Sequence, residues 1–217
     1  MTDFAAARHN MVESQIRPNR ANEPRLIEAF GAVPREVFVP AALQGVAYVD
    51  EDIEVARGRY LIEPRVLARM LHEASIKPTD KVLDIGVATG YSAAILARVA
   101  GRVVALESDP GLAGKARATL EALGAGNVMV VTGPLEAGCP GEAPFDVILF
   151  QGSVAHIPPA IAQQLGEGGR LVAVVGEGPV ATARLYGRIE GRIGQRPLFD
   201  AGTHALPGFA VERGFVF

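Results

Sequence analysis

One cysteine in 217 residues rules out an internal disulfide. That residue, Cys139, lies among glycine and proline with no second thiol or histidine cluster beside it, so no metal site is expected. Basic residues are neither numerous nor clustered. Twenty-one Lys and Arg against 24 Asp and Glu leave a formal charge of −3, which argues against a nucleic-acid backbone or an anionic membrane as partner. No apolar run approaches the roughly 20 residues that a membrane helix needs. Met1 to Arg8 lacks a basic start followed by an apolar core, so a reducing cytoplasm is the expected compartment. Repeats, linkers and low-complexity runs are also missing.

What is present suits one well-buried domain, with hydrophobic residues making up 49% of the chain. The organising stretch is Lys81-Val-Leu-Asp-Ile-Gly-Val-Ala-Thr-Gly-Tyr91. Val82, Leu83 and Ile85 read as a strand covered on both faces, and the alanine-rich run from Tyr91 to Ala100 reads as a helix. Further strands are predicted over 102–107, 127–132, 145–150 and 170–175. Crossover helices are predicted over 112–123 and 158–165, and a hairpin over 181–199 turns at Glu190-Gly191. Residues 1–63 read as a helical collar with no sheet layer, 64–178 as an α/β core, and 179–217 as a hairpin followed by an edge strand at Gly214 to Phe217, all within one domain.

A strand, a glycine-bearing loop and a helix in succession offer close backbone approach and unpaired N–H groups to a nucleotide-like ligand. The loop reads Gly86-Val-Ala88-Thr-Gly90, which lacks the Gly-x-Gly-x-x-Gly pattern of a pyrophosphate cradle. Asp84 adds a carboxylate where a phosphate would be repelled. A cofactor with donor groups and a positive charge fits better, and S-adenosylmethionine is such a ligand. Glu107 ends the second strand 21 positions after Gly86, where a doubly wound sheet would aim it at both hydroxyls of a ribose. Gly133 to Leu135 reaches the same sheet edge, and Gln151 to His156 is predicted to be a loop on the substrate side. His156 has no identifiable partner, so no catalytic triad is assigned.

The chain resembles the protein-L-isoaspartate O-methyltransferases. The resemblance runs through Met11 to Gln15, Val33-Pro-Arg-Glu-Val-Phe-Val-Pro40, Ala47 to Asp52, Asp84 to Gly90, Gly133, Ala143 to Asp146 and Gln164 to Val172. It implies a Rossmann-like doubly wound seven-stranded sheet with an N-terminal helical extension, S-adenosyl-L-methionine as cofactor, and methylation of isoaspartyl carboxylates in damaged proteins. It further implies cofactor contacts at Tyr60, Leu61, Asp84, Gly86, Ala88, Gly90, Glu107, Ser108, Pro134 and Leu135. The implied substrate pocket surrounds Arg59, Tyr60, Ile62 and Glu63, with no catalytic residue assigned. The sequence departs from the family where members carry Gly-Gln-Thr-Ile-Ser-Gln-Pro and this chain has Gly58-Arg-Tyr-Leu-Ile-Glu-Pro64. Isoleucine cannot hydrogen-bond a carboxylate, and Glu63 repels an anion unless Arg59 or Arg65 offsets it. The alternatives are therefore a silent cofactor-binding protein or transfer to another acceptor.

Overall fold

The computed structural model describes residues 3–176 and 181–209. Helix α1 (Phe4–Met11) is capped by Asp3, whose carboxylate accepts from the Ala6 N–H. It runs into a π turn (Val12–Ile16), and a 3₁₀ turn (Arg17–Asn19) that contains Pro18 closes the segment. Glu23 caps α2 (Pro24–Ala32) with Pro24 at its first turn, where a missing N–H costs nothing. Two 3₁₀ turns follow, Arg35–Phe38 and Ala41–Val46.

The collar is not purely helical as its sequence suggested. Strands β1 (Ile53–Ala56) and β2 (Arg59–Leu61) form a separate antiparallel pair, turned at Gly58 with φ +68°. Ile53 and Val55 are buried while Glu54 is exposed, a period-two pattern too short to stand out in the sequence.

The core follows as α3 (Pro64–Glu73), β3 (Lys81–Ile85), α4 (Tyr91–Ala97), β4 (Arg102–Glu107), α5 (Pro110–Ala122), β5 (Val128–Thr132), β6 (Phe145–Val154), α6 (Pro159–Ala162) and β7 (Leu165–Val175). The hairpin is β8 (Thr182–Ile189) with β9 (Arg192–Asp200). These make one seven-stranded sheet in the order β5-β4-β3-β6-β7-β8-β9, parallel through β7 and antiparallel beyond it.

Strand residues alternate between two cores. Val82, Val103, Ala105, Val147, Leu149 and Val172 join the cluster that takes in α2 through α5. Leu83, Ile85, Val104, Leu106, Ile148, Phe150 and Leu171 join a smaller cluster on the other face. That second face is covered by α6, by short 3₁₀ turns and by Leu206 and Phe209 from beyond the hairpin.

Three boundaries differ from the sequence reading. β6 continues through Val154, so Gln151 to Val154 are buried strand and no loop. Helix α6 is a single turn. The glycines after it form an irregular opening to β7, where pairing jumps from Phe145↔Leu165 to Val147↔Arg170. The expected edge strand at 214–217 lies outside the described residues. Among the described residues, no helix is long and apolar enough to cross a membrane.

Candidate cofactor and acceptor site

The chain lays β4 and β5 to one side of β3 and then returns to lay β6 on the other. The crevice between the carboxyl ends of β3 and β6 is therefore the point where winding reverses, and open α/β sheets bind ligands there. Gly86 leaves β3 at φ +82° and its N–H donates to the Leu106 carbonyl at 2.8 Å, so the loop turns under the tip of β4. Ala88 follows in the left-handed region at φ +49°, which aims its N–H at Glu107 Oε2, 2.7 Å away.

Glu107 is fully buried and its carboxylate is crowded with donors. Oε1 accepts from the Ser108 N–H at 2.8 Å and the Asp109 N–H at 3.0 Å. Oε2 accepts from Ala88 and also from Arg59 Nη2 at 2.6 Å. An arginine thus takes the place that the sequence reading reserved for ribose hydroxyls. Arg59 is 6% exposed, and its Nε and Nη1 have no partner among the described residues. Burial holds its pKa below the usual arginine value, with the Glu107 charge opposing.

Asp84, the other expected ligand acid, is turned to partners within the protein. It is fully buried, Oδ2 accepting from Ser92 Oγ at 2.7 Å and Oδ1 from Gln151 Nε2 at 2.6 Å. Burial pushes its carboxyl up to about 6, against the two hydrogen bonds that lower it. Gly90 also has a different duty. At φ +97° it opens α4, and a Cβ there would stand 3.1 Å from the Ala116 side chain, so the position serves the close approach of α5. Thr89 Oγ1 donates to the Phe38 carbonyl at 2.6 Å and ties the loop to the collar.

The segment Gly58 to Pro64 is held from the collar side. Arg35, which sequence reasoning passed over, is fully buried and donates from Nε to the Ala47 carbonyl at 2.8 Å and from Nη2 to the Ile62 carbonyl at 3.0 Å. Its guanidinium lies 4.7 Å from the centre of the Tyr91 ring. Asp52 Oδ1 accepts from the Glu63 N–H at 2.8 Å, and Asp50 Oδ1 from the Arg65 N–H at 3.1 Å, which satisfies the first turn of α3. Leu61 and Ile62 are consequently packed in the main core. Glu63 pairs with Arg65 at 2.8 Å, so of the two arginines that could offset its charge it is Arg65 that does so. Tyr60 stacks on His204, ring centres 3.6 Å apart and 9° from parallel.

His204 was given no role by the sequence because its partners come from far along the chain. Asp52 Oδ2 accepts from Thr203 Oγ1 at 2.7 Å and lies 3.1 Å from His204 Nδ1. These residues line a cavity of about 560 Å³ with Glu51, Glu63, Ser153 and Ala205. The remaining expected contacts lie at the tip of β4 and in the turn after β5, where the Gly133 N–H donates to the Glu107 carbonyl at 3.0 Å. Ser108 is exposed beside Glu107, Pro134 opens a 3₁₀ turn, and Leu135 is buried in the second cluster. His156 is exposed, and Cys139 is buried with its N–H on Gln164 Oε1.

A parallel sheet wound in this order, with a glycine loop at the switch point and a carboxylate at the tip of the next strand, has the fold of the S-adenosylmethionine-dependent methyltransferases. A solved protein-L-isoaspartate O-methyltransferase superposes with a TM-score of 0.82 at 24% identity, over 93% of this chain and 66% of its own. A beta-aspartate methyltransferase from Plasmodium falciparum, solved with S-adenosyl-L-homocysteine, gives 0.78 at 18% identity over 95% of this chain and 99% of its own. The chain belongs to the protein-L-isoaspartate(D-aspartate) O-methyltransferase family, whose model matches residues 6–198. A protein-L-isoaspartate O-methyltransferase of Koribacter versatilis is 39% identical over 96% of this chain and 94% of its own, and one of Methanoculleus marisnigri is 38% identical over 88% and 87%.

The donors and acceptors around the loop suit that family's cofactor in kind: a carboxylate for hydroxyls, a glycine that admits close approach, and an acid behind them. The crevice itself is occupied by side chains of this chain, Arg59 Nη2 lying 2.6 Å from Glu107 and Leu206 lying against Gly86.

Proposed function

We propose that this chain is an S-adenosylmethionine-dependent O-methyltransferase that acts on isoaspartyl carboxylates of proteins or peptides in the cytoplasm, with neither nucleic acid nor membrane as partner. The observation that carries the reading is the meeting of Gly86, the Ala88 N–H and the Glu107 carboxylate at the switch point, in a chain that its family model matches from residue 6 to 198. Glu107 and the backbone from Gly86 to Ala88 would hold the cofactor, with Asp84 behind them keeping Gln151 and Ser92 in place. When bound, the cofactor supplies an electrophilic methyl group on its sulfonium.

A substrate carboxylate is already a nucleophile, so the protein's task is to orient it and exclude water, and no strong base is required. Arg65 moderates the charge of Glu63 at the cavity edge. Radiolabelled methyl transfer to an isoaspartyl peptide, with the matching aspartyl peptide as control, tests this. Transfer to the first alone is expected, lost in Glu107→Gln. Absence of transfer to both sinks the reading.

A second reading, transfer to a different acceptor, is favoured by the cavity itself. Glu51, Asp52 and Glu63 make its wall acidic, and the Asp52–His204 pair stands beside Ser153. Such a wall receives a neutral or cationic acceptor more readily than a carboxylate. Labelling of a cell extract with no labelling of isoaspartyl peptide would select it.

A further inference from the structure

Two side chains of the chain itself occupy the crevice at the switch point. Leu206 is 5% exposed and wedged at the switch point. A Cβ built on Gly86 would lie 2.7 Å from Leu206 Cδ2, and one built on Gly152 would lie 2.7 Å from Leu206 Cγ. The same side chain therefore presses on the end of β3 and on β6. Arg59 completes the closure, with Nη2 3.4 Å from that Gly86 Cβ position and 2.6 Å from Glu107.

The segment bearing Leu206 is a strap over the end of β6. Ser153 N–H donates to the His204 carbonyl and Leu206 N–H to the Ser153 carbonyl, both at 2.9 Å, which makes a parallel bridge between Ser153 and Ala205. Thr203 and His204 are tethered to Asp52. Phe209 packs edge-on against Phe150 at 5.5 Å. These are few bonds compared with the sheet beneath, so the strap belongs to the part of the molecule that opens without global unfolding.

We propose that residues 201–209 are a gate over the cofactor crevice, with Leu206 as its plug and Arg59 as its latch, and that cofactor entry requires both to leave. The proposal rests on the methyltransferase reading and adds its regulation. The latch is poised for release. Among the described residues Arg59 is held in the crevice by Glu107 alone, while its other two nitrogens are buried and unpaired, a state that favours return to water once hydroxyl groups compete for the carboxylate. Closure taxes affinity: if one molecule in ten is open, the apparent dissociation constant is about tenfold weaker than that of an open protein.

Calorimetric titration of the full chain with S-adenosyl-L-homocysteine tests the gate. With one molecule in ten open, Leu206→Ala should bind up to about tenfold more tightly than the parent, and Arg59→Gln should move the same way. The double variant Ser153→Cys/Ala205→Cys places a disulfide across the bridge. Oxidised, it should give no binding heat, and reductant should restore it, which keeps the test independent of whether Leu206→Ala folds. Native Cys139 stays out of the exchange because burial pushes its thiol up to about 11. Hydrogen exchange at 203–206 should rise on ligand addition. Equal binding by the oxidised crosslinked chain and the parent, or no tightening in a folded Leu206→Ala, overturns the gate while the methyltransferase reading stands. If every form fails to bind, reduced and variant alike, the gate falls, and failure of methyl transfer beside it removes the reading as well.

Discussion

Replacing Asp84 by asparagine should make the protein more stable above pH 6 and flatten its pH dependence. The carboxyl sits fully buried on β3, and burial raises it from 3.8 to about 6. Between those two values the folded chain keeps a proton that the unfolded chain has released. Stability therefore falls as pH rises through this window, and the loss is complete above about 6. At about 1.4 kcal/mol per unit, the charged form costs the fold on the order of 3 kcal/mol. Asparagine occupies the same volume and can keep both partners, its oxygen accepting from Gln151 Nε2 and its amide donating to Ser92 Oγ, whose hydroxyl rotates to accept. Urea unfolding followed by circular dichroism at pH 4.5, 5.5, 6.5 and 7.5 reads the difference between the two proteins. The gap between the two proteins should widen from about 1 kcal/mol at pH 4.5 to about 3 kcal/mol at pH 7.5, the latter several degrees in Tm for a chain of this size. Parallel pH profiles, or an asparagine variant that is weaker throughout, would refute the assignment of the raised pKa to Asp84. A carboxylate that destabilises its own fold at neutral pH fits a group retained for function, since a positive ligand nearby recovers the cost of the charge.

Arg35→Met removes the donors that hold the Ala47 and Ile62 carbonyls and should cost about 3–5 kcal/mol in urea unfolding, with the conservative Arg35→Lys recovering only part because a single ammonium cannot span both acceptors. Cys139 should resist an aromatic disulfide reagent at pH 8 in the native protein and react at once in denaturant, because it is buried and its thiol is pushed up to about 11. Rapid native labelling would show that the turn around it opens.

The sheet was legible because its signals are local. Val82, Leu83 and Ile85 form a run too apolar for a one-sided strand, and Gly86 with Gly90 marks the change of period that follows. The hairpin announced itself through Glu190-Gly191, where both residues take positive φ. Strand β1 escaped notice because four residues carry only two alternations. The end of β6 was misread for a related reason. Gln151, Gly152 and Ser153 look like loop residues, yet Gln151 is satisfied by Asp84 across 67 positions and Ser153 by the strap. Polar residues paired over such separations leave no trace in composition or period. Arg35 and His204 were illegible on the same ground, their partners lying at 47, 62 and 52.

The departure at Gly58 to Pro64 and the closed crevice are one feature of this chain. Sequence comparison put the weight on Ile62, where the family carries a hydroxyl, but Ile62 is packed in the core with its carbonyl held by Arg35. The consequential residues are its neighbours. Arg59 stands where the family motif has glutamine and reaches Glu107. Tyr60 stands where the motif has threonine and stacks on His204 of the strap. The Glu63 N–H engages Asp52, which also holds Thr203 and His204. Each of these contacts joins the altered segment to the crevice or to what covers it. Restoring a serine at position 62 would therefore bury a hydroxyl among apolar side chains and leave the plug and latch in place, whereas changes at 59 and 206 act on the closure directly.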